Sequence, residues 1–208
     1  MAVGEYRLGP LDAVPGVRLA TVSAGIKTAG RQDLVLIEVA PGTQCAAVFT
    51  RNVFCAAPVT VAREHLQSSA HQPRYLLINT GNANAGTGAA GIAAARTCTA
   101  AVAAVAGVSP DSVLPFSTGV IGEPLPVHKL EQAIPAAFAA LTADGWLPAA
   151  QGILTTDTRP KALSVRFHCD GRDYVVTGIA KGAGMIRPNM ATMLGFVAEN
   201  YPKTGALG

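Results

Sequence analysis

Charge is scarce in this sequence, and so are the features that usually announce a protein's chemistry. Only 14% of the 208 residues are charged, 16 basic against 13 acidic for a net charge of +3, and the basic ones are scattered rather than clustered. That excludes the electrostatic stripe of a nucleic-acid binder. Half of the residues are apolar, which excludes a disordered chain. The four cysteines, Cys45, Cys55, Cys98 and Cys169, form no C-x-x-C pair and have no histidine at a metal-ligand spacing. Neither a disulfide framework nor a metal site is expected, and the thiols are predicted to be reduced and mostly buried. No run approaches the ~18 apolar residues of a membrane helix, and Met1–Arg7 lacks the apolar core of a signal peptide, so a cytoplasmic protein with no membrane partner is expected. There is no G-x-S-x-G, and nothing in the sequence pairs His65, His71, His128 or His168 with a nucleophile, so the usual Ser-His-Asp hydrolase is excluded.

What is present suits one domain with a substantial core. The chain opens with a loop holding Pro10 and Pro15. Residues 34–40 then read as a buried strand, 46–50 and 57–62 as further strands with Pro58 at an edge, and 75–79 as a short buried strand. Residues 92–105 read as an alanine-rich helix, 113–117 as a strand, and 128–143 as a helix kinked or restarted at Pro135. Residues 162–168 and 174–179 form a hairpin signalled by Asp170-Gly171. Gly86-x-Gly88-x-x-Gly91 has the spacing of a dinucleotide fingerprint. Its strand, however, stops seven residues before the first glycine, and Asp111 precedes the next strand instead of ending it, so a loop packed closely against the site is predicted instead.

The candidate chemistry lies in Lys181-Gly-Ala-Gly-Met-Ile-Arg-Pro-Asn-Met-Ala-Thr-Met-Leu-Gly-Phe196, where a glycine-rich loop runs into the Ala191-Thr192 bond. A threonine hydroxyl is a poor nucleophile unless activated, and one remedy is the amine of the same residue, freed by cutting the bond before it. Taken locally, the same residues also fit a turn at Gly182 and Gly184 followed by a buried strand. Four other strings occur in order upstream: Ala46-Ala-Val-Phe-Thr-Arg-Asn52, Thr80-Gly-Asn-Ala-Asn-Ala-Gly-Thr-Gly88, Ser117-Thr-Gly-Val-Ile-Gly122 and Leu154-Thr-Thr-Asp-Thr-Arg-Pro-Lys161. Locally, Ser117-Thr-Gly fits a plain turn, and Asp157 with its threonines fits a backbone cap. With the Lys181–Phe196 string, the set resembles the ornithine acetyltransferase family, the bifunctional glutamate N-acetyltransferases of arginine biosynthesis, from about residue 20 to Phe196.

The resemblance implies an α/β sandwich of mixed and antiparallel sheets with flanking helices, incomplete in this chain. It implies self-cleavage between Ala191 and Thr192, Thr192 as the nucleophile that carries acetyl from N-acetylornithine to glutamate, and Thr118 and Gly119 as the oxyanion hole. It implies Thr155, Lys181 and Thr192 as the substrate-binding residues, Lys181 suiting an α-carboxylate as a point charge. No cofactor or metal is implied, with acetyl-CoA a candidate second donor. The implied organisation is an alpha-segment over 1–191 and the start of a beta-segment over 192–208, truncated or divergent after about residue 198, the two segments pairing in an alpha2beta2 heterotetramer. Only sixteen residues follow Thr192, and Asn200–Gly208 does not resemble the family's continuation. An N-terminal-nucleophile aminopeptidase or amidase on the same scaffold, and an inactive fragment, are the alternative expectations.

Overall fold

A computed structural model describes residues 8–182 and 193–201. Four strands, β1 (Val17–Val22), β2 (Leu34–Val39), β3 (Tyr75–Asn82) and β4 (Val113–Val120), form one sheet in the order β1-β2-β3-β4. The β1–β2 and β2–β3 pairs are antiparallel, whereas β3 and β4 run parallel. A parallel pair needs a crossover, and α2 (Gly88–Ala106) with the 3-10 turn Pro110–Ser112 provides it. The second sheet is antiparallel, β5 (Lys161–Cys169), β6 (Arg172–Lys181) and β7 (Leu194–Glu199), in that order. Three more helices complete the described residues: α1 (Ala57–Ser68), α3 (Val127–Ala139) and α4 (Trp146–Gly152).

The layering follows from β2, which is buried along its whole length. An apolar strand without polar alternation must be covered on both faces. Leu34 and Leu36 pack into one core with Leu77, Val102 and Ile134, on the side of α2 and α3. Val35 and Ile37 pack into a second core with Ile78, Trp146, Ile153 and Ile179, on the side of α4 and the second sheet. The expected α/β sandwich of two sheets with flanking helices is therefore the fold. On the second sheet the alternate residues Leu163, Val165 and Val197 face away from this core and are exposed.

Several expectations need correction. Residues 46–50 form no strand, and residues 57–62 begin α1. The alternating valines suggest β structure, but Pro58 occupies the first helical turn, where its missing N–H costs nothing, and Val61, Ala62, His65 and Leu66 make one helical face. Ala62 and Leu66 of that face pack with Leu114 of β4. The expected opening loop contains β1, and α4 has no counterpart in the sequence reading, its Pro148 and Gly152 resembling loop residues. Gly152 is required there, since a Cβ would lie 2.6 Å from Thr21 and 2.7 Å from Val35. The helix expected over 128–143 ends at Ala139 with Pro135 inside it. By length and hydropathy α2 does meet the requirement for a membrane span, contrary to the sequence reading. It is a core helix, with Ala95, Cys98, Val102 and Ala103 buried on one side. Of the thiols only Cys98 is fully buried; Cys45, Cys55 and Cys169 are partly exposed. Asp170 and Gly171, at φ 50° and 74°, make a two-residue turn of type I′ between the paired Cys169 and Arg172.

Candidate functional site

The parallel pairing of β3 and β4 brings two of the sequence-selected strings side by side. Thr80 faces Thr118 and Gly81 faces Gly119 across the ladder, with a register irregularity at Asn82. Gly119 has φ +143°, and a Cβ on it would lie 2.3 Å from the Gly81 carbonyl carbon and 2.5 Å from the Asn82 nitrogen. Only glycine fits this close approach, which aims the carboxyl end of β4 away from an ordinary strand path.

Three asparagines lock that end. Asn79 donates to the Asn82 carbonyl at 2.8 Å and accepts from Ser117 Oγ at 2.5 Å. Asn82 accepts the Asn84 N–H at 2.7 Å and donates to the carbonyls of Glu123 and Pro124 at 3.1 Å each. Asn84 sits at φ 45° and donates to the Gly91 carbonyl at 2.9 Å. All three side chains are buried, so each satisfied amide is needed to avoid an unpaired polar group in the core. Sequence reasoning selects this string by resemblance but misses the role of its asparagines. Their alternation is a legible signal, because Asn tolerates positive φ and bonds nearby backbone. Gly91, the last glycine of the apparent dinucleotide fingerprint, is occupied by the protein itself: its missing Cβ makes room for Thr87 and Asn84 side chains. Asp111 lies in the turn before β4, at the opposite end of that strand from the glycines.

The second cluster lies where β6 ends. Lys181 is its last residue, 3% exposed, and its Nζ donates to Thr155 Oγ1 at 3.3 Å. Burial pushes the Lys181 amine below the ordinary lysine value, opposed by the Asp157 carboxylate and aided by Lys161. Asp157 accepts from Lys161 Nζ at 2.5 Å and from the Gly182 N–H at 2.9 Å. Although burial alone would raise its pKa, these donors hold its carboxyl below the usual carboxylate range. The carbonyl of Leu154, next to Thr155, receives a hydrogen bond from Arg31 at 2.6 Å. Arg31 belongs to the loop between β1 and β2, which Asp33 shapes by accepting the N–H groups of Ala24 and Ile26 at 2.6 Å each. Neither Arg31 nor Asp33 stands out in the sequence.

Thr155 and Lys181, paired in expectation only by resemblance, are thus in contact. Thr118 and Gly119 lie on the other sheet, at the end of β4. Phe116, two residues before Thr118, stacks edge-on against Phe196 with centroids 5.0 Å apart. Phe196 in turn lies two residues beyond Leu194, the strand partner of Lys181. Ala191 and Thr192 lie outside the described residues. The buried ammonium and neighbouring hydroxyl can hold an anionic or amide group, and the Gly119 end of β4 can present an N–H to a developing oxyanion. Among the described residues no group of three or more His, Cys, Asp or Glu is arranged to hold a metal ion.

Comparison with known proteins adds an independent line. The model of the ArgJ family matches residues 18–203. The arginine biosynthesis bifunctional protein ArgJ of Methylococcus capsulatus is 60% identical over 198 residues, covering 95% of this chain and 47% of that protein. The protein of the same description from Pseudomonas syringae pv. tomato is 57% identical over 200 residues, covering 96% and 49%. The chain spans about half the length of these relatives. Among solved structures, the ArgJ protein of Bacillus halodurans superposes with a TM-score of 0.78 at 33% identity, covering 89% of this chain and 95% of that one. The ornithine acetyltransferase of Mycobacterium tuberculosis, solved in complex with ornithine, gives 0.71 at 34%, covering 85% and 93%.

Proposed function

The chain belongs to the ArgJ family, and on that premise we propose that it is part of a cytoplasmic acetyltransferase that moves acetyl from N-acetylornithine to glutamate in arginine biosynthesis, with acetyl-CoA as a second acetyl donor. The observation that carries this reading is the buried Lys181 ammonium beside the Thr155 hydroxyl. A cation that is almost wholly buried is retained at a cost, and an anionic substrate group would add to the negative charge that Asp157 provides nearby. The ornithine bound by the M. tuberculosis relative carries such an α-carboxylate and supports the assignment.

In this reading, Thr192 Oγ attacks the Ala191 carbonyl carbon and the C–N bond between the two residues breaks. Water then hydrolyses the resulting ester and leaves Thr192 with a free α-amine. The solved ArgJ and ornithine acetyltransferase chains are matched over 95% and 93% of their length, whereas the curated relatives are matched over only 47% and 49%. That difference agrees with a family polypeptide divided near this point. The freed amine, with an unperturbed pKa of about 7.7–8.0, takes the Oγ proton as Oγ attacks the acetyl carbonyl of N-acetylornithine. The Gly119 N–H and Thr118 hydroxyl stabilise the oxyanion, ornithine leaves with its amine protonated, and the amine of glutamate then takes acetyl from Thr192. Thr155 and Lys181 hold the α-carboxylate in both halves, and neither a metal nor an organic cofactor takes part. The beta-segment that begins at Thr192 completes the site, in an alpha2beta2 assembly.

The test uses the full-length enzyme. Thr192→Ala is expected to leave an uncut precursor without transferase activity. Lys181→Ala is expected to raise KM for N-acetylornithine with kcat largely kept, because a charge on the α-carboxylate acts equally in ground and transition states. A Lys181→Ala enzyme with collapsed kcat and unchanged KM would overturn the binding role, and a Thr192→Ala enzyme that still transfers acetyl would overturn the mechanism.

A further inference from the structure

Asp157 does more in this structure than cap its own turn. Its carboxylate is nearly inaccessible, with 2% side-chain exposure, yet it meets two groups from different strands. Lys161 opens β5, and Gly182 follows the end of β6. Lys161 and Ala180 are direct ladder partners, so Asp157 closes the sheet at its end, one residue beyond Lys181. The backbone just after Lys181 is thereby fixed, while the Lys181 side chain bonds Thr155 in a place where burial disfavours its charge.

We infer that Asp157 is a positioning residue: it pins the Gly182 amide and supplies the buried negative charge that keeps Lys181 a cation able to receive a carboxylate-bearing substrate, while the outer Lys161 tempers that charge. The inference rests on Lys181 being the carboxylate-binding group, as proposed above. Among the described residues, the charges that act on the Lys181 amine are Asp157, which favours its protonated form, and Lys161, which opposes it. Arg159 on the same loop, and Arg31 on the Leu154 carbonyl, are further cations among the described residues of the region. The packed helix α4, of sequence WLPAAQG, has no ionisable side chain.

This arrangement predicts shifts of opposite sign, which a merely structural role would not produce. Asp157→Asn keeps an oxygen to accept the Gly182 N–H but removes the charge that favours the ammonium, so the Lys181 pKa should fall further. Lys161→Gln removes a repelling charge from a half-exposed side chain, so the Lys181 pKa should rise. Both are read in the full-length enzyme carrying 13C-labelled lysine side chains, by NMR titration of the resonance that disappears in Lys181→Arg. This readout needs no activity, so it fails or succeeds independently of the transferase reading. In the active enzyme, the alkaline rise in KM for N-acetylornithine should move to lower pH in Asp157→Asn and to higher pH in Lys161→Gln. If the Lys181 titration stays in place in both variants, or moves the same way in both, the assignment of Asp157 is wrong. If the NMR shifts appear as expected but N-acetylornithine is not a substrate of the parent enzyme, Asp157 stands and the transferase reading falls.

Discussion

Replacing Gly119 by alanine tests how the end of β4 is built. The residue sits at φ +143°, a region that L side chains rarely adopt, and the new Cβ would meet Gly81 and Asn82 backbone atoms at 2.3–2.6 Å. Those atoms belong to the neighbouring strand, whose Asn82 is bonded at both ends of its side chain, so they have little room to move. Backbone strain of about 1–2 kcal/mol and overpacking of about 1–3 kcal/mol give a total of about 2–5 kcal/mol. For a domain of this size a loss of about 3 kcal/mol lowers Tm by about 6–12 °C. Gly107 provides the control, because it caps α2 at φ +67° with nothing within 4 Å of the place a Cβ would take. Gly107→Ala therefore carries the strain without the clash. Unfolding of parent and variants is followed by the fluorescence of the single, fully buried Trp146 and by circular dichroism. The reasoning is refuted if Gly119→Ala costs no more than Gly107→Ala. On the proposed oxyanion role of the Gly119 N–H, its displacement should also lower kcat of the full-length enzyme by about 10²–10³, the usual effect of losing one such donor.

Three further outcomes are expected. Asp33→Ala removes the acceptor of two amides at 2.6 Å and should cost about 2–4 kcal/mol in a urea titration, since unsatisfied buried donors cost about 1–3 kcal/mol each; a loss below the resolution of the titration would refute the role given to that loop. Burial, with Glu131 adding, pushes the Cys98 thiol up to about 12, so at a pH of about 8, below the ordinary thiol value, Cys98 should react with a thiol reagent only after denaturation, whereas rapid labelling in the native protein would contradict its place in the core. Because the Asp157 carboxyl is held below its ordinary value, it stabilises the fold above the unfolded carboxylate pKa of about 4, and that contribution is lost as pH falls through the lowered folded value. The Tm difference between parent and Asp157→Asn should therefore be largest near neutrality and shrink in acid, and a difference independent of pH would argue against an ionised partner of Lys161.

The sequence by itself determined the elements whose signals are local and the family to which they belong. Residues 34–39 could only be a doubly covered strand, since six successive side chains include no exposed-face alternation. The Asp170-Gly171 pair specified a tight hairpin because both positions tolerate positive φ, and the resemblance of the matching strings singled out Thr155, Lys181, Thr118 and Gly119 as candidate site residues. Tertiary structure decided the rest, for a physical reason in each case. The Pro-Val-Thr-Val run of residues 58–61 has strand-like composition, and it is helical because the helical face that continues through Ala62 and Leu66 finds Leu114 of β4. The membrane-like hydropathy of α2 became core packing only because a parallel β3–β4 pair required a crossover to cover it. Asp157 looked like a cap until β5 and β6 brought Lys161 and Gly182 to it. Which charge a buried lysine feels is a property of strands that meet in space, and no spacing along the chain records it.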